Sequence, residues 1–190
     1  MADRFGFGVR SLFIAKVAND DGSAPISYGD QIEVGSLNKV NFSRQSANAK
    51  AFGDDKKVAD ITVTTGGTLE ITFWGLSQKS NADLYGHTFS EETGLVEKMS
   101  DVAPYVGVGY VRTFEDSAGN LTYDAYVIHK AQAVQGDEEA NTASEDIDLS
   151  SETVTFNAVE PQKGEFRSVK SFTTEQEATS FIKNKLSLSA

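Results

Sequence analysis

The chain has 190 residues, enough for one domain with a sizeable core and few for two. It has no cysteine, which removes disulfides, thiol nucleophiles and cysteine metal sites and suits a reducing compartment. Its net charge of −11 opposes nucleic-acid binding, which depends on cations neutralising phosphates. The excess is uneven: residues 1–95 hold 9 basic and 12 acidic side chains, and residues 96–190 hold 8 and 16. Between Asp137 and Glu165, nine acids face Lys163 alone. No apolar run reaches the roughly 18 residues of a membrane span, and the segment from Met1 to Gly6 lacks the apolar stretch of a secretory signal.

Taken in chain order, the elements are mostly strands. Phe7 to Val17 mixes Val, Phe, Ile and Leu with small residues in rough alternation, and Gln31 to Phe42 reads the same way around Gly35. Asn41 to Lys57 is polar and rich in small residues, which predicts a long loop with Phe42 and Phe52 embedded in it. Val58–Thr65 and Thr68–Trp74 flank Gly66-Gly67, a hairpin signal, with Trp74 expected in the core. Leu76 to Leu84 predicts a short helix that opens on Ser77 and stops before Gly86. Tyr105–Phe114 and Leu121–Val134 predict a second hairpin around Glu115 to Asn120. Gln135 to Ser144 predicts a surface loop, and Ile147 to Val159 a last strand. Thr174 with Glu177 forms a capping box, and Ala178, Phe181, Ile182 and Leu186 then share one helical face. The fold class is therefore mainly β: two packed antiparallel sheets, as a sandwich or partly closed barrel, flanked by a short helix, with a C-terminal helix over about 174–186. One domain spans 1–190, with a core over about 5–160 and an extension over 161–190.

The chemistry-bearing residues are few. His87 follows a turn and His129 lies in a strand, and neither has the spacing of a metal-binding pair. No G-x-S-x-G elbow is present. Gly6-Phe7-Gly8 and Gly107-Val108-Gly109 lack the third glycine of a phosphate fingerprint, and Ser11 and Arg112 stand in its place. Such glycines in strands mark bends, bulges or close backbone approach. The acid pairs at Asp20-Asp21 and Asp54-Asp55 and the cluster Glu145-Asp146-Ile147-Asp148 lack the full calcium-loop pattern. No catalytic residue, cofactor or metal ligand is assigned, and an enzyme is not expected.

Several stretches in order resemble a known family. Ile26 to Ile32 (ISYGDQI) and Leu37 to Ser43 (LNKVNFS) are followed by Ala51-Phe52-Gly53-Asp54-Asp55, Leu84-Tyr85-Gly86-His87-Thr88 and Ala103 to Tyr110 (APYVGVGY). Together with Gly119 to Lys130, this series resembles major tail proteins, the tail-tube subunits of long-tailed bacteriophages of Gram-positive hosts, over about residues 5–160.

The resemblance implies a virion protein, made in the host cytoplasm, whose subunits form hexameric rings that stack into a tube for DNA ejection. Its partners would be further copies of itself and other tail proteins such as the tape measure and the tail terminator. DNA would pass a net-negative lumen without specific binding, and no membrane is involved. Long loops and the Met1–Gly8 arm would reach neighbouring subunits, which makes Phe5, Phe7, Phe42, Phe52, Asp54 and Asp55 candidate inter-ring or inter-subunit contacts. Three alternatives stay open: another virion ring protein of distal-tail or head-completion type, a β-sandwich binding module, and a small hydrolase using His87 or His129.

Overall fold

A computed structural model describes residues 3–54, 56–136 and 151–189. In chain order the elements are β1 (Arg4–Asn19), β2 (Ser27–Ile32), β3 (Ser36–Gly53), β4 (Lys56–Trp74), α1 (Gln78–Tyr85), β5 (Thr88–Ser90), β6 (Gly94–Val96), β7 (Tyr105–Asp116), β8 (Leu121–Val134), β9 (Glu152–Ala158), β10 (Arg167–Phe172) and α2 (Glu175–Lys185). The fold is mainly β with two helices, as expected. The two expected sheets, however, are joined in one antiparallel sheet of eight strands, and β5 and β6 form a separate pair. The main sheet runs β2-β1-β7-β8-β9-β4-β3, with β10 also paired to β8. It curls until β1 and β3, far apart in that order, come into contact.

The hairpin of β7 and β8 holds the centre because both of its faces are covered. On the inner face Val106, Val108 and Ile128 pack with Ile14, Leu69, Ile71, Phe73 and Phe156. On the outer face Val111, Ala125 and Val127 meet Ala178, Ile182 and Leu186 from α2 and its C-cap. Coverage on both sides explains the nearly unbroken apolar run of β7, where a one-sided strand would alternate. Gly107 and Gly109 lie under the helix: a methyl at 109 would collide with Ile182, and one at 107 with Tyr28 and Leu186. The close approach that glycine permits in a strand is therefore what seats α2.

Both helices start and stop where the sequence signals them. Ser77 caps α1 by accepting from the Ser80 N–H at 3.0 Å, and Gly86 ends it in the left-handed region at φ 77. In α2 the Glu177 N–H donates to Thr174 Oγ1 at 3.3 Å, the first half of the expected capping box, while the Glu177 carboxylate accepts from the Thr174 hydroxyl at 2.9 Å in place of the Thr174 N–H. Glu175 and Glu177 in its first turn, with Lys183 and Lys185 in its last, complement the helix dipole.

Several expectations need correction. Asn41 to Lys57 is no loop: its described residues form the outer part of β3 and the first two residues of β4, with Asp54 in the turn after β3. The period-2 order of small and polar residues there is strand patterning, and Thr, Val and Ile on β4 supply the partners. Gly66 and Gly67 do not turn the chain but lie inside β4, where a methyl at 67 would strike the Phe42 ring. Residues 4–8 are no free arm, since Arg4, Phe5 and Gly6 pair with Asp116, Glu115 and Phe114. Trp74 is no core residue; it ends β4 and is 42% exposed. Residues 161–190 are not an appendage, because β10 pairs with the middle of β8 and α2 covers the sheet. Residues 137–150, including most of the acidic stretch and the start of the last expected strand, lie outside the described residues.

The seating of α2 gives a direct test. Gly109→Ala should lower stability by about 1–3 kcal/mol, because the added methyl must displace Ile182. Gly8→Ala, with nothing within 4 Å of the new methyl, should change it by less than about 0.5 kcal/mol. Urea denaturation of both variants decides it, and equal stability would show that α2 is not seated through Gly109.

Candidate assembly surfaces

Outward from Ser43 and Thr65, β3 and β4 leave the packed body as a two-stranded ribbon whose described residues are almost all exposed. Its register sorts the side chains onto two faces. Ala47 faces Val63, Ala49 faces Ile61, and Ala51 faces Ala59, all on one side. Ser46 faces Thr64, Asn48 faces Thr62, and Lys50 faces Asp60 on the other. One face is thus apolar and the other polar, yet Ile61 is 58% and Val63 57% exposed. No described residue covers this apolar face, as the packed side of a two-faced sheet is normally covered.

The six contacts expected from the sequence fall in different settings. Phe5 and Phe7 are largely exposed on β1. Phe42 is half-buried and turned inward: it packs on the inner core, lies 6.3 Å from the Phe166 ring and carries the Arg167 guanidinium over its face. That ring serves the fold of the monomer first. Phe52 pairs with Lys57 near the tip of the ribbon. Asp54 makes the turn itself, exposed and left-handed at φ 49. Asp55 lies outside the described residues.

Sequence reading missed a further exposed apolar group. Trp74 at the end of β4, Val96 at the end of β6, Met99 and Val102 in the following loop, Tyr105 at the start of β7 and Val134 at the end of β8 are all exposed. The antiparallel ladders place Trp74, Tyr105 and Val134 at one end of the sheet. The outer edges of β2 and β3, the two ends of the strand path, have no strand partner among the described residues. Nothing in a single sequence distinguishes a Trp that ends a strand in solvent from one that ends it in a core.

Both histidines are built into the body. Tyr28 donates to the His129 carbonyl at 2.9 Å and stands 3.0 Å from its Nδ1, while Nε2 is 2.7 Å from Ser168 Oγ. Both ring nitrogens are therefore engaged by neighbouring side chains, and the residue is 5% exposed. Burial lowers its pKa, reinforced by Lys185 and opposed by Glu165. His87 is held by Asp101 at 2.9 Å through Nδ1, and that bond lowers the pKa of Asp101. The clefts beside α2, lined by Phe172, Phe181 and Leu188 among others, contain neither histidine. Among the described residues no group of three or more His, Asp or Glu side chains is placed to hold a metal ion, and no helix is long and apolar enough to cross a membrane.

No protein-family model matches the chain, and no curated protein matches it.

Two measurements check these assignments. Phe42→Ala should cost the monomer about 2 kcal/mol through lost packing, whereas Ile61→Ser with Val63→Ser should stay within about 0.5 kcal/mol. Chemical denaturation that ranks them the other way would mean the ribbon face is covered within the monomer. For His129, a folded pKa below the unfolded value near 6.5 means that its contribution to stability is complete above that pH and is lost as the pH falls below it. Stability should therefore decline more steeply from pH 7 to 5 in the wild type than in His129→Gln, and parallel curves would show that the ring titrates unperturbed.

Proposed function

We propose that this chain is a non-enzymatic structural subunit that assembles with copies of itself, specifically the tail-tube subunit of a long-tailed phage. The ribbon carries the reading: its apolar face is formed by Ala47, Ala49, Ala51, Ala59, Ile61 and Val63, and no described residue covers it. A lone two-stranded ribbon is marginal in water, and a second copy would supply the missing layer. Fully covering Ile61 and Val63 would add about 1 kcal/mol each, since each is already partly shielded. Repeated at every subunit, that gain suits a polymer better than a tight pair.

The other surfaces fit the same reading. The exposed apolar group around Trp74, Tyr105 and Val134 differs from the ribbon, so a contact between the two would be head-to-tail. Such contacts close into rings or extend without limit, as stacked rings require. The open edges of β2 and β3 would serve as ring joints rather than aggregation hazards. The sequence resemblance over about residues 5–160 supplies the specific family, the hexameric ring and the DNA conduit. A chain of net charge −11 suits a conduit along which phosphates must slide.

Sedimentation at rising protein concentration tests the proposal. The wild type should shift to large species, while Ile61→Ser with Val63→Ser should remain monomeric. Equal behaviour of the two would remove the ribbon from the assembly, and a wild type that stays monomeric throughout would count against self-assembly.

A further inference from the structure

Four of the chain's five arginines, Arg4, Arg44, Arg112 and Arg167, lie on the inner side of the sheet. Arg4 lies over the Phe114 ring at 4.5 Å and Arg112 over the same ring at 5.1 Å. Arg112 also reaches Tyr126 at 6.0 Å, and Arg167 lies 4.9 Å from Tyr126 and 4.6 Å from Phe42. Arg44 pairs with Gly67 two positions along β3 from Phe42, which places it on the same face. One carboxylate answers this row: Asp124 takes Arg4 at 2.9 Å. Arg44, Arg112 and Arg167 form no ion pair among the described residues. The Nε of Arg167 is buried without a hydrogen-bond partner.

A guanidinium stacked flat on an aromatic ring keeps its N–H edge outward in a fixed plane, the arrangement suited to gripping a carboxylate or phosphate with two hydrogen bonds. Among the described residues these cations outnumber the carboxylates that answer them, which leaves them open to an anion from a second copy. The opposite end of the sheet offers one. There Glu152 begins β9 beside Phe73, and Glu97 accepts from Gln135 just beyond β8. Neither pairs with a Lys or Arg among the described residues.

We propose that the arginine row is a carboxylate-binding surface that receives the acidic end of a second copy, Glu97 and Glu152, in a head-to-tail contact. The inference rests on the self-assembly reading and adds the site and the chemistry of one joint. Two different surfaces of one chain meet, which is the condition for an open-ended stack. The contact also sets polarity, because the row repels its like in a head-to-head encounter.

Charge exchange tests it in sedimentation and sizing experiments at low and high salt. Arg44→Glu with Arg112→Glu alters exposed side chains only, and thermal melts check that each variant folds. Wild-type association should weaken as salt rises. The arginine variant alone, and Glu97→Arg with Glu152→Arg alone, should each associate at least ten-fold more weakly at low salt. An equimolar mixture of the two should recover association, because each restores the other's partner charge. Variants that associate like the wild type, or a mixture that recovers nothing, would overturn the inference and leave self-assembly standing. A wild type that never associates would instead remove the self-assembly reading and this joint with it. Retention of a double-stranded DNA oligonucleotide by the wild type but not by the arginine variant would reassign the row to phosphate.

Discussion

The double-sided burial of β8, and the division of one of its edges between two partners, set the rest of the architecture. One edge runs along β7 for almost its whole length. The other is shared: Tyr123 to Ile128 pair with β10, and Ala131 to Val134 pair with β9. His129 stands at the fork, its N–H bonded to the Phe166 carbonyl at 3.2 Å and its ring tied to Tyr28 and Ser168. Because β10 occupies the near half of that edge, β4 and β3 follow β9 away from it. Their outer halves leave the body as the ribbon. The position of a short C-terminal strand thus goes with a long β3–β4 hairpin whose apolar face no described residue covers.

Energetics divide along the same line. The body is held by apolar side chains packed on both faces of β7 and β8, with Phe73, Phe156, Ile128 and Ile182 fully buried. Each is worth roughly 1.5–3 kcal/mol relative to exposure. The ribbon has cross-strand pairs and main-chain bonds but little burial, so a partner changes its free energy far more than it changes that of the body. A stable body with an incomplete appendage is the thermodynamic form expected of a subunit that stays soluble alone and adds to an end that already exists. The arginine row follows a similar logic, since three of its cations, Arg4, Arg112 and Arg167, lie over aromatic rings before any anion arrives.

Much of this was legible in the sequence where local physics acts alone. Both helices and their caps follow from Ser77, Gly86, Thr174 and Glu177, and the hairpin of β7 and β8 from its β-branched runs around Asp116 to Asn120. The errors share a cause. In Asn41 to Lys57, alanine, serine and asparagine have weak strand propensity, and only the register against Thr, Ile and Val on β4 makes them a strand. Gly66-Gly67 signals a turn locally, yet the Phe42 ring needs the space there. β10 is too short and polar to be read from Arg167 to Phe172, and its pairing with β8 is a long-range event. The same holds for the candidate contacts: locally Phe42 reads as an aromatic in a loop, and its inward turn depends on Phe166 and Arg167, more than a hundred residues away. The apolar face of the ribbon was invisible until the register was known.

The central claim is that this chain builds a tube from itself. Negative-stain electron microscopy of the concentrated protein, with small seeds of any assembled fraction added back, tests it most directly. The account predicts hollow tubes or stacked rings of uniform diameter with an open channel, growing from the seeds. Monomers that stay dispersed at high concentration with and without seeds, or amorphous aggregates with no channel, would contradict it.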